Sequence, residues 1–562
     1  MLLPASRWTV LVPLALASAS LFASTSEAQS VKTLLLEGAT IPGVDGTLDS
    51  VTDVSVTDTG DWIARLQMLS TTGAQFEVVV RSGVAVFVEG DPLFDPPGLR
   101  IDRFDDVDLS PDGTTWWVVD TDASVSADEL MMRNLSPTAR EGDEPFDSSL
   151  PDGSIWLDFD AFQLNDAGEL LILGDMDVPT VVGGNEAVLV RQTFDPFGVL
   201  IGEDVLVLEG DALPGGIGQV EDVGTSIGGH DVAHSSNHWI AYVRSDAGSS
   251  NDELVLVDGE VVAAELGVGP VAGTTWESLS LNGVDITNDG DYVFRGLYSD
   301  ASFAQFEGIF LNGAPYVVEG DTSPSIAPFA FDKFRFNTPV LLGEYGRVVY
   351  AASTDDPDLT RKDGLFVDDR RVVQENVTTA GPETINAISM GPNSLALSPD
   401  GRYLIFEAFT ASTLNGIFLL DLGLIRPMES CAGNTGTLAQ AEGLPLLGET
   451  VTFEMDGEQD QGVTPVFLLS QDPILGWPPC GVMLPYGELL IDLTTGLGNP
   501  AVVLFGPPTD ASPVPFSVTV ANDPALLGRT YYAQGIWWDA GDQSPAENLR
   551  LTNGLEITLA PQ

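Results

Sequence analysis

The chain has 562 residues, 44% of them hydrophobic, which is enough for a large folded protein and excludes a disordered chain. It carries 83 Asp and Glu against 22 Lys and Arg, and the resulting net charge of −61 repels nucleic-acid phosphate and anionic lipid surfaces. Nucleic acid is therefore excluded as a partner. The charge favours cations and basic partners, and it suits a salty or calcium-rich exterior, where ions screen the self-repulsion.

The N-terminus has the features of a secretory signal peptide. A single positive residue, Arg7, precedes an apolar stretch over Trp8–Ala23, and Ser26 and Ala28 then form a small-residue cleavage site. This pattern predicts a signal peptide over residues 1–28 and a mature chain that begins at Gln29. We expect a secreted protein, extracellular or periplasmic, with no integral membrane segment after the signal is removed.

A Glu-Gly-Asp step recurs seven times, intact or degraded, at intervals of about 50 to 70 residues. Its copies are Glu37-Gly38, Glu89-Gly90-Asp91, Glu141-Gly142-Asp143, Glu209-Gly210-Asp211, Glu265-Leu266-Gly267, Glu319-Gly320-Asp321 and Glu375-Asn376. Between the copies lie short strands joined by Asp-Gly, Asn-Gly and Ser-Gly turns, which suit hairpins. A repeat of this length made of strands predicts an all-β protein with a seven-bladed β-propeller.

The last repeat unit is one strand short. Its third strand, Gly416–Leu422, is the last before the chain leaves the repeat, whereas a strand without a unit of its own lies at the start, Val31–Glu37. Because that first strand carries a Glu-Gly step, which ends the fourth strand elsewhere, we expect it to complete the last blade and close the ring. The propeller is then predicted over residues 29–424.

Two turn sequences resemble a known repeat. Leu397–Phe406 (LSPDGRYLIF) is similar to the SPDG repeat of TolB-like and WD40-like propellers, and Leu109–Gly113 (LSPDG) is a second copy. The resemblance covers roughly residues 31–424 as architecture. It implies a propeller fold and no particular activity, since the motif is a turn signature.

Residues 425–562 break the repeat and are predicted to form a separate C-terminal β-sandwich. They hold both cysteines, and export makes a Cys431–Cys480 disulfide the expected state. The stretches Tyr531–Gln534 and Leu551–Leu555 resemble a C-terminal module of large secreted proteins of planctomycete-like and myxobacterial genomes. That resemblance implies an exported bacterial protein without defined chemistry.

The sequence offers few catalytic candidates. Gly224–Gly228 matches the nucleophile-elbow pattern around Ser226, but an elbow needs a strand, a turn and a helix, and this segment lies in an all-β repeat. Ser110–Trp116 resembles a sialidase Asp-box that is one residue short, and a sialidase would also need an arginine cluster. No set of acid, base and nucleophile can be named, so no catalytic residue is predicted.

Metal sites are predicted only weakly. All three histidines cluster as His230, His234 and His238, but on a strand the first two would be about 13 Å apart, so one ion would need a bend to reach both. The Glu-Gly steps could form a carboxylate ring that holds calcium. The preferred interpretation is that their glycines supply a turn conformation. No cofactor is predicted, with calcium left as an alternative.

These features lead to a prediction and an alternative for the function. The prediction is a secreted, non-enzymatic binding or scaffold protein, expected to be a monomer, that binds a glycan or a basic protein. The long acidic loops between blades and between second and third strands place the binding surface on the crossing-loop face. The alternative is an extracellular polysaccharide hydrolase or lyase whose site lies on the propeller, and an enzyme should show one or two units with unmatched polar residues near the axis.

Overall fold

The computed structural model describes residues 31–561 except 147–149, 166, 180–185, 196, 225–231, 249–251, 335–337, 390, 429, 432–433, 458–462, 475–476, 479, 485–486, 493–501, 507–508, 510–511 and 539–548. For residues 280–282 and 502 it describes the backbone only. The described residues form strands and two 3₁₀ turns, Pro214–Gly216 and Pro524–Leu526, and no α-helix occurs among them. The prediction of an all-β fold is confirmed.

Residues 32–421 form seven antiparallel sheets, numbered here in chain order. The first three contain Thr47–Val56, Trp62–Leu69, Gln75–Arg81 and Val84–Val88; then Ile101–Leu109, Thr115–Thr121, Glu129–Arg133 and Ser136–Arg140; then Ile155–Leu164, Leu170–Asp177, Glu186–Phe194 and Leu200–Leu208. The fourth and fifth contain Val220–Val223, Val232–His234, Trp239–Ser245, Glu253–Val257 and Glu260–Ala264; then Thr275–Ile286, Tyr292–Ser299, Gln305–Leu311 and Ala314–Val318. The sixth and seventh contain Phe331–Phe334, Leu341–Leu342, Val348–Thr354, Asp363–Val367 and Arg370–Gln374; then Thr379–Ala380, Glu383–Ile388, Leu395–Leu397, Tyr403–Thr410, Asn415–Asp421 and, from the N-terminus, Lys32–Leu36.

The second strand of each sheet is buried on both faces. In the second sheet Trp116, Trp117, Val118 and Val119 are all at most 1% exposed, which agrees with their unbroken apolar sequence. Each face of such a strand packs against a neighbouring sheet. Ile63 and Val79 of the first sheet, for example, share a core with Trp117 and Val119.

The first, or inner, strands of the seven sheets lie side by side in a closed ring. In the fourth, sixth and seventh sheets the inner strand consists of two segments that pair with the same second strand: Val220–Val223 with Val232–His234, Phe331–Phe334 with Leu341–Leu342, and Glu383–Ile388 with Leu395–Leu397. Each inner strand contacts the inner strand of the next sheet, and the inner strand of the seventh contacts that of the first. The ring is fastened near one end, where Asp53 accepts a hydrogen bond from the amide of Val107 at 2.9 Å and Asp285 accepts one from Leu342 at 2.7 Å. Equivalent ends of neighbouring strands therefore meet, so all inner strands run in the same direction.

This arrangement gives the ring two faces. Turns between first and second strands and between third and fourth strands lie on one face, which we call the tight-turn face. Loops between second and third strands, and the crossings from each sheet to the next, lie on the other, the crossing-loop face. Inner strands begin at the crossing-loop face and end at the tight-turn face.

The N-terminal strand completes the seventh sheet, as the sequence predicted. Lys32 pairs with Leu419 and Leu36 pairs with Gly416 in an antiparallel register. The preceding Val31 is 4% exposed and belongs to the core between the sixth and seventh sheets. The first and last strands of the ring thus share one sheet, and the edge of Asn415–Asp421 is covered.

The Glu-Gly steps are the joints between sheets. The second residue of every step has a left-handed φ, from 82° to 91° at the five glycines and 56° and 57° at Leu266 and Asn376. Its amide donates to a carbonyl of the following inner strand, as from Gly90 to Ile101 at 2.8 Å and from Leu266 to Trp276 at 2.9 Å. The glycines therefore supply a turn conformation at the outer edge of each sheet.

The remaining strands belong to the C-terminal region. One sheet contains Leu424–Pro427, Leu549–Thr558, Thr530–Trp538, Thr464–Ser470 and Val502–Phe505, a second contains Thr437–Glu442, Thr450–Asp456 and Val514–Thr519, and a hairpin pairs Val482–Leu484 with Gly487–Leu489. Side chains of the two larger sheets, among them Phe453 and Phe467, form one shared core. The expected disulfide joins Cys431 and Cys480, whose Cα atoms are 5.2 Å apart.

Within the described residues, no helix is both long enough and apolar enough to cross a membrane.

Candidate functional site

A group of interacting carboxyl side chains lies towards the crossing-loop end of the second, third and fourth sheets. We call them the channel acids; they are Asp105, Asp120, Glu129, Asp158, Asp160, Asp175 and Asp222. Four of them lie on inner strands, two near the ends of second strands and one at the start of a third strand. The acids come from neighbouring sheets but gather at one sector of the ring.

Two channel acids lie at irregularities in the inner strands. The pairing register shifts between Phe104 and Asp106, beside Asp105, and again between Asp158 and Ala161, beside Asp160. A β-bulge leaves the extra residue without a ladder partner and redirects its side chain, and bulges are common next to active sites. The bulges therefore free these two carboxyl groups from the regular inside–outside alternation of the strand.

Asp160 has the acidity that a proton-transfer group needs. Its surface is exposed to water, yet desolvation among the surrounding sheets, followed by the charge of Asp175, raises its pKa to about 7. A carboxyl group of this pKa is present in both protonation states near neutral pH. It can both donate and accept a proton there.

Asp105 is a second perturbed acid, and it is partly paired. Desolvation and then the charge of Asp120 raise its pKa to about 6, against the opposing effect of Arg103. The Arg103 guanidinium lies 2.8 Å from Asp105 and 2.9 Å from Asp120, so one arginine bridges both carboxylates. This arginine is 59% exposed at its side chain and marks the solvent side of the group.

Glu129 is the most deeply buried channel acid. It is 7% exposed, its Oε2 accepts the amide of Phe159 at 2.8 Å, and burial followed by a hydrogen bond with Asp158 raises its pKa to about 10. It is therefore protonated at neutral pH and shares that proton with Asp158. Carboxyl oxygens of Glu129, Asp105 and Asp120 lie within 4.8 Å of one another, but a cation held by all three would have to displace the Glu129 proton and the ion pairs with Arg103.

A cavity of about 190 Å³ lies at the opposite, tight-turn end of the inner strands, and all seven sheets contribute to its wall. Its acids Asp53, Asp106 and Asp108 accept amides of the inner strands: the amide of Val107 reaches both Asp53 and Asp106 at 2.9 Å. Burial and then the charge of Asp53 raise the pKa of Asp106 well above its usual range, and the two side chains are hydrogen-bonded. These acids hold the inner strands together at this end of the ring.

The histidines predicted as weak metal ligands are placed as follows. His234 is 6% exposed and lies in the wall of the cavity at the tight-turn end of the inner strands. Its Nε2 lies 3.2 Å from the carbonyl oxygen of Glu169, and burial lowers its pKa to about 3. His238 pairs through Nδ1 with Asp258 at 2.7 Å. Neither joins a group of three metal-ligating side chains in the described part of the chain, and His230 lies outside the described residues.

The other sequence motifs do not enter the channel group. Ser226 of the elbow-like pattern lies outside the described residues. The Asp-box-like segment forms a tight turn, in which the Ser110 hydroxyl donates to Asp112 at 2.6 Å and Gly113 has a φ of 83°. Its SPDG counterpart is built the same way, with Ser398 donating to Asp400 at 2.8 Å.

No protein-family model matches the sequence, and no curated protein matches it significantly. Solved structures do match: Trypanosoma rangeli sialidase in complex with the inhibitor DANA (TM-score 0.26, 12% identity, covering 94% of this chain and 93% of that chain) and polysaccharide lyase Uly1 (TM-score 0.30, 11% identity, covering 70% and 99%). A third is an engineered GH43 glycoside hydrolase with endo-xylanase and exo-arabinofuranosidase activity (TM-score 0.20, 9% identity, covering 92% and 96%). With scores this low, no residue role is transferred from them.

These matches correct one prediction. The sequence led us to a non-enzymatic binding or scaffold protein, whereas all three matched structures are described as enzymes. That prediction is wrong as the leading interpretation, and the alternative, an enzyme acting on extracellular polysaccharide, agrees better with the matches. The resemblance to TolB-like and WD40-like repeats stays a prediction beyond the all-β fold.

The channel acids were missed at the sequence level. With 83 acidic residues in the chain, individual acids carry little signal. Asp120 and Asp175 lie at corresponding places in the second strands of the second and third sheets, where the first, fourth and fifth sheets have Gln67, Arg244 and Leu297. Because polar residues also occupy this place in other sheets, the position alone does not single out the second and third units.

Proposed function

We propose that this protein is an extracellular polysaccharide hydrolase or lyase whose site is the group of channel acids at the crossing-loop end of the ring. The observation that carries the proposal is the state of Asp160: a water-exposed carboxyl group, beside a bulge, with a pKa of about 7. Acids with strongly perturbed pKa values are candidates for catalytic proton transfer.

Asp160 would act as the proton donor or acceptor at the glycosidic linkage. Cleavage of sugar chains commonly uses two carboxyl groups, one protonated and one ionised, whose environments separate their pKa values. Asp160, with a pKa of about 7, and Asp105, with a pKa of about 6 beside Arg103, provide such a pair on adjacent sheets. Asp105 would serve as the ionised partner at neutral pH.

Glu129 and Asp158 would position the group rather than react. Their hydrogen bond holds a proton between them, and the Glu129 carboxyl also accepts the amide of Phe159. Together they fix the start of the third inner strand, which carries Asp160, against the second sheet. Loss of Glu129 should therefore disturb the site through its geometry.

The place of action is proposed to be outside the cell. The Cys431–Cys480 disulfide suits an oxidising compartment, and the signal peptide predicted over residues 1–28 lies outside the described residues.

The test measures new chain ends released from a panel of polysaccharides by the wild-type protein and by Asp160→Asn and Asp105→Asn. We expect each substitution to lower kcat by about 10²- to 10⁴-fold. If Asp160 is the acid and Asp105 the ionised partner, wild-type activity is highest between about pH 6 and 7 and falls on both sides, and Asp160→Asn removes the alkaline limb. Asp289→Asn, an exposed acid of a tight turn, is the control. Full activity of Asp160→Asn would contradict the proposal.

A further inference from the structure

The most exposed large apolar side chains are concentrated on one face of the ring. In the described part of the chain the six highest exposed fractions belong to Phe94 (80%), Val125 (89%), Phe197 (89%), Val268 (87%), Phe303 (86%) and Leu359 (73%). All except Phe197 lie in crossings or in loops between second and third strands. Five of the six therefore lie on the crossing-loop face, the end of the ring towards which the channel acids lie.

These five side chains are spread around the ring. They belong to the crossings from the first to the second sheet and from the fourth to the fifth, and to loops of the second, fifth and sixth sheets. A peptide lying in one groove would contact neighbouring loops only. A partner with a broad, flat surface can contact all five of these loops and crossings at once.

The backbone of Phe303 is strained. Its φ is 64°, the left-handed region that bulky residues avoid, and its amide donates to Asp300 at 2.9 Å to close the turn. The same turn in the first sheet, where the amide of Gly73 donates to Ser70 at 2.9 Å, has glycine at that position with a φ of 85°. An exposed phenylalanine in place of glycine gains nothing in burial and strains the backbone, so folding does not explain it.

Charge narrows the choice of partner surface. A protein of net charge −61 is repelled by anionic membranes, by anionic polymers and by a second copy of itself. A basic surface would be attracted by the acids rather than by the apolar tips, whereas an uncharged surface with apolar patches matches those tips. The flat faces of sugar rings, which expose C–H groups, are such a surface and pack against phenylalanine.

We propose that the crossing-loop face is an adsorption surface for insoluble, uncharged polysaccharide, with Phe94, Phe303 and the aliphatic loop tips as its contacts. This inference rests on the proposed function and names its substrate class: a neutral, solid-phase glycan, presented to the channel acids by the surrounding apolar tips.

The experiment uses the full chain carrying Asp160→Asn, so that adsorption is measured without cleavage. Depletion from solution by cellulose, chitin and insoluble xylan powders is compared for this protein and for versions with Phe303→Gly plus Phe94→Ser. We expect the affinity for at least one powder to fall by about tenfold or more in the double substitution, without weakening in 1 M salt. Phe197→Ser, equally exposed on the tight-turn face, is the matched control and should adsorb like the parent.

The single substitution Phe303→Gly distinguishes a loss of adsorption from a loss of folding, because it should raise the melting temperature while it weakens adsorption. The inference is overturned if Phe197→Ser weakens adsorption as much as Phe303→Gly, if no powder is bound, or if neutral phosphatidylcholine vesicles are bound instead. A wild-type protein that cleaves soluble glycan without adsorbing defeats this inference alone. Adsorption through Phe303 without cleavage of any glycan defeats the proposed activity alone.

Discussion

The amide of Phe104 donates to Oε2 of Glu77 at 2.8 Å, and this hydrogen bond ties the third strand of the first sheet to the inner strand of the second. The same bond recurs from Phe159 to Glu129 at 2.8 Å and from Leu279 to Glu253 at 2.6 Å. A glutamate carboxyl group thus crosses each of these junctions and accepts a hydrogen bond from an amide that a bulge leaves outside the ladder. The joints between sheets depend on acids as well as on apolar packing.

Removing one of these carboxylates should therefore loosen a junction. We expect Glu77→Ala to lower the free energy of unfolding by about 1–3 kcal/mol, since the Phe104 amide loses its acceptor. Glu77→Gln keeps an acceptor oxygen and should cost less. Urea denaturation of both variants measures the difference, and an alanine variant as stable as the wild type would show that water replaces the carboxylate without loss.

The N-terminal strand should matter more to stability than most chain ends. A protein that begins at Ala39 lacks the strand that pairs with Asn415–Asp421 and the buried Val31, and we expect a melting temperature at least several degrees lower than that of a protein beginning at Gln29. It should also aggregate, because a sheet edge is exposed. Equal thermal unfolding curves for the two proteins would argue against closure through this strand.

One joint carries a residue that is poorly suited to it. Leu266 has a φ of 56° in the step where five others have glycine, and it is 55% exposed. Leu266→Gly should raise the free energy of unfolding by about 1 kcal/mol, and the reverse change at a matched joint, Gly320→Leu, should lower it by a similar amount. Gly320 has open space around its Cα, so the second effect reports backbone strain without a clash. Chemical denaturation measures both changes in unfolding free energy. Changes of the same sign for Leu266→Gly and Gly320→Leu would contradict the explanation by backbone strain.

A buried acid outside the site should make stability fall as pH rises. Glu203 is 5% exposed, and burial raises its pKa to about 7, above the ordinary value of 4.5. The folded protein therefore binds the proton more tightly than the unfolded chain, and the stability gained below pH 4.5 is lost as pH rises through 7. Glu203→Gln should be near neutral at pH 4.5 and stabilising at pH 8.5, by up to about 3 kcal/mol.

The check is the difference in unfolding free energy between wild type and Glu203→Gln at those two pH values. Glu260→Gln, the same change at an exposed acid, serves as the control and should give a difference that does not change with pH. An unchanged difference for Glu203→Gln as well would mean that water reaches its carboxyl group in the folded protein.

The ring was predictable because its signals are local and repeated. The glycines that follow Glu37 and Glu89 indicate a turn with a left-handed φ, because glycine adopts that conformation easily. The last repeat unit has only three strands, which indicates that the N-terminal strand completes it. The junction glutamates were equally readable: Glu77, Glu129, Glu253 and Glu307 stand at the same place before each third strand's apolar run. They were overlooked because acids are abundant throughout the chain.

The channel acids could not be predicted in the same way. Asp105 and Asp160 lie beside bulges, and a bulge shifts the inside–outside alternation on which strand patterns depend. Their pKa values are raised first by desolvation, which exists only after the sheets pack together, and then by the charges of Asp120 and Asp175 on the adjacent strand of the same sheet. Charge coupling of this kind has no sequence periodicity.

Closure by the N-terminal strand also affects the rate of folding. The amide of Asn415 reaches the Glu37 carboxylate across a separation of 378 residues, so the first strand to leave the ribosome is among the last to find its partner. Contacts of such high sequence separation slow folding, because the intervening chain must be ordered before they form. A chain that cannot close its ring early stays incompletely folded for longer, and its unpaired strand edges are exposed to other chains during that time.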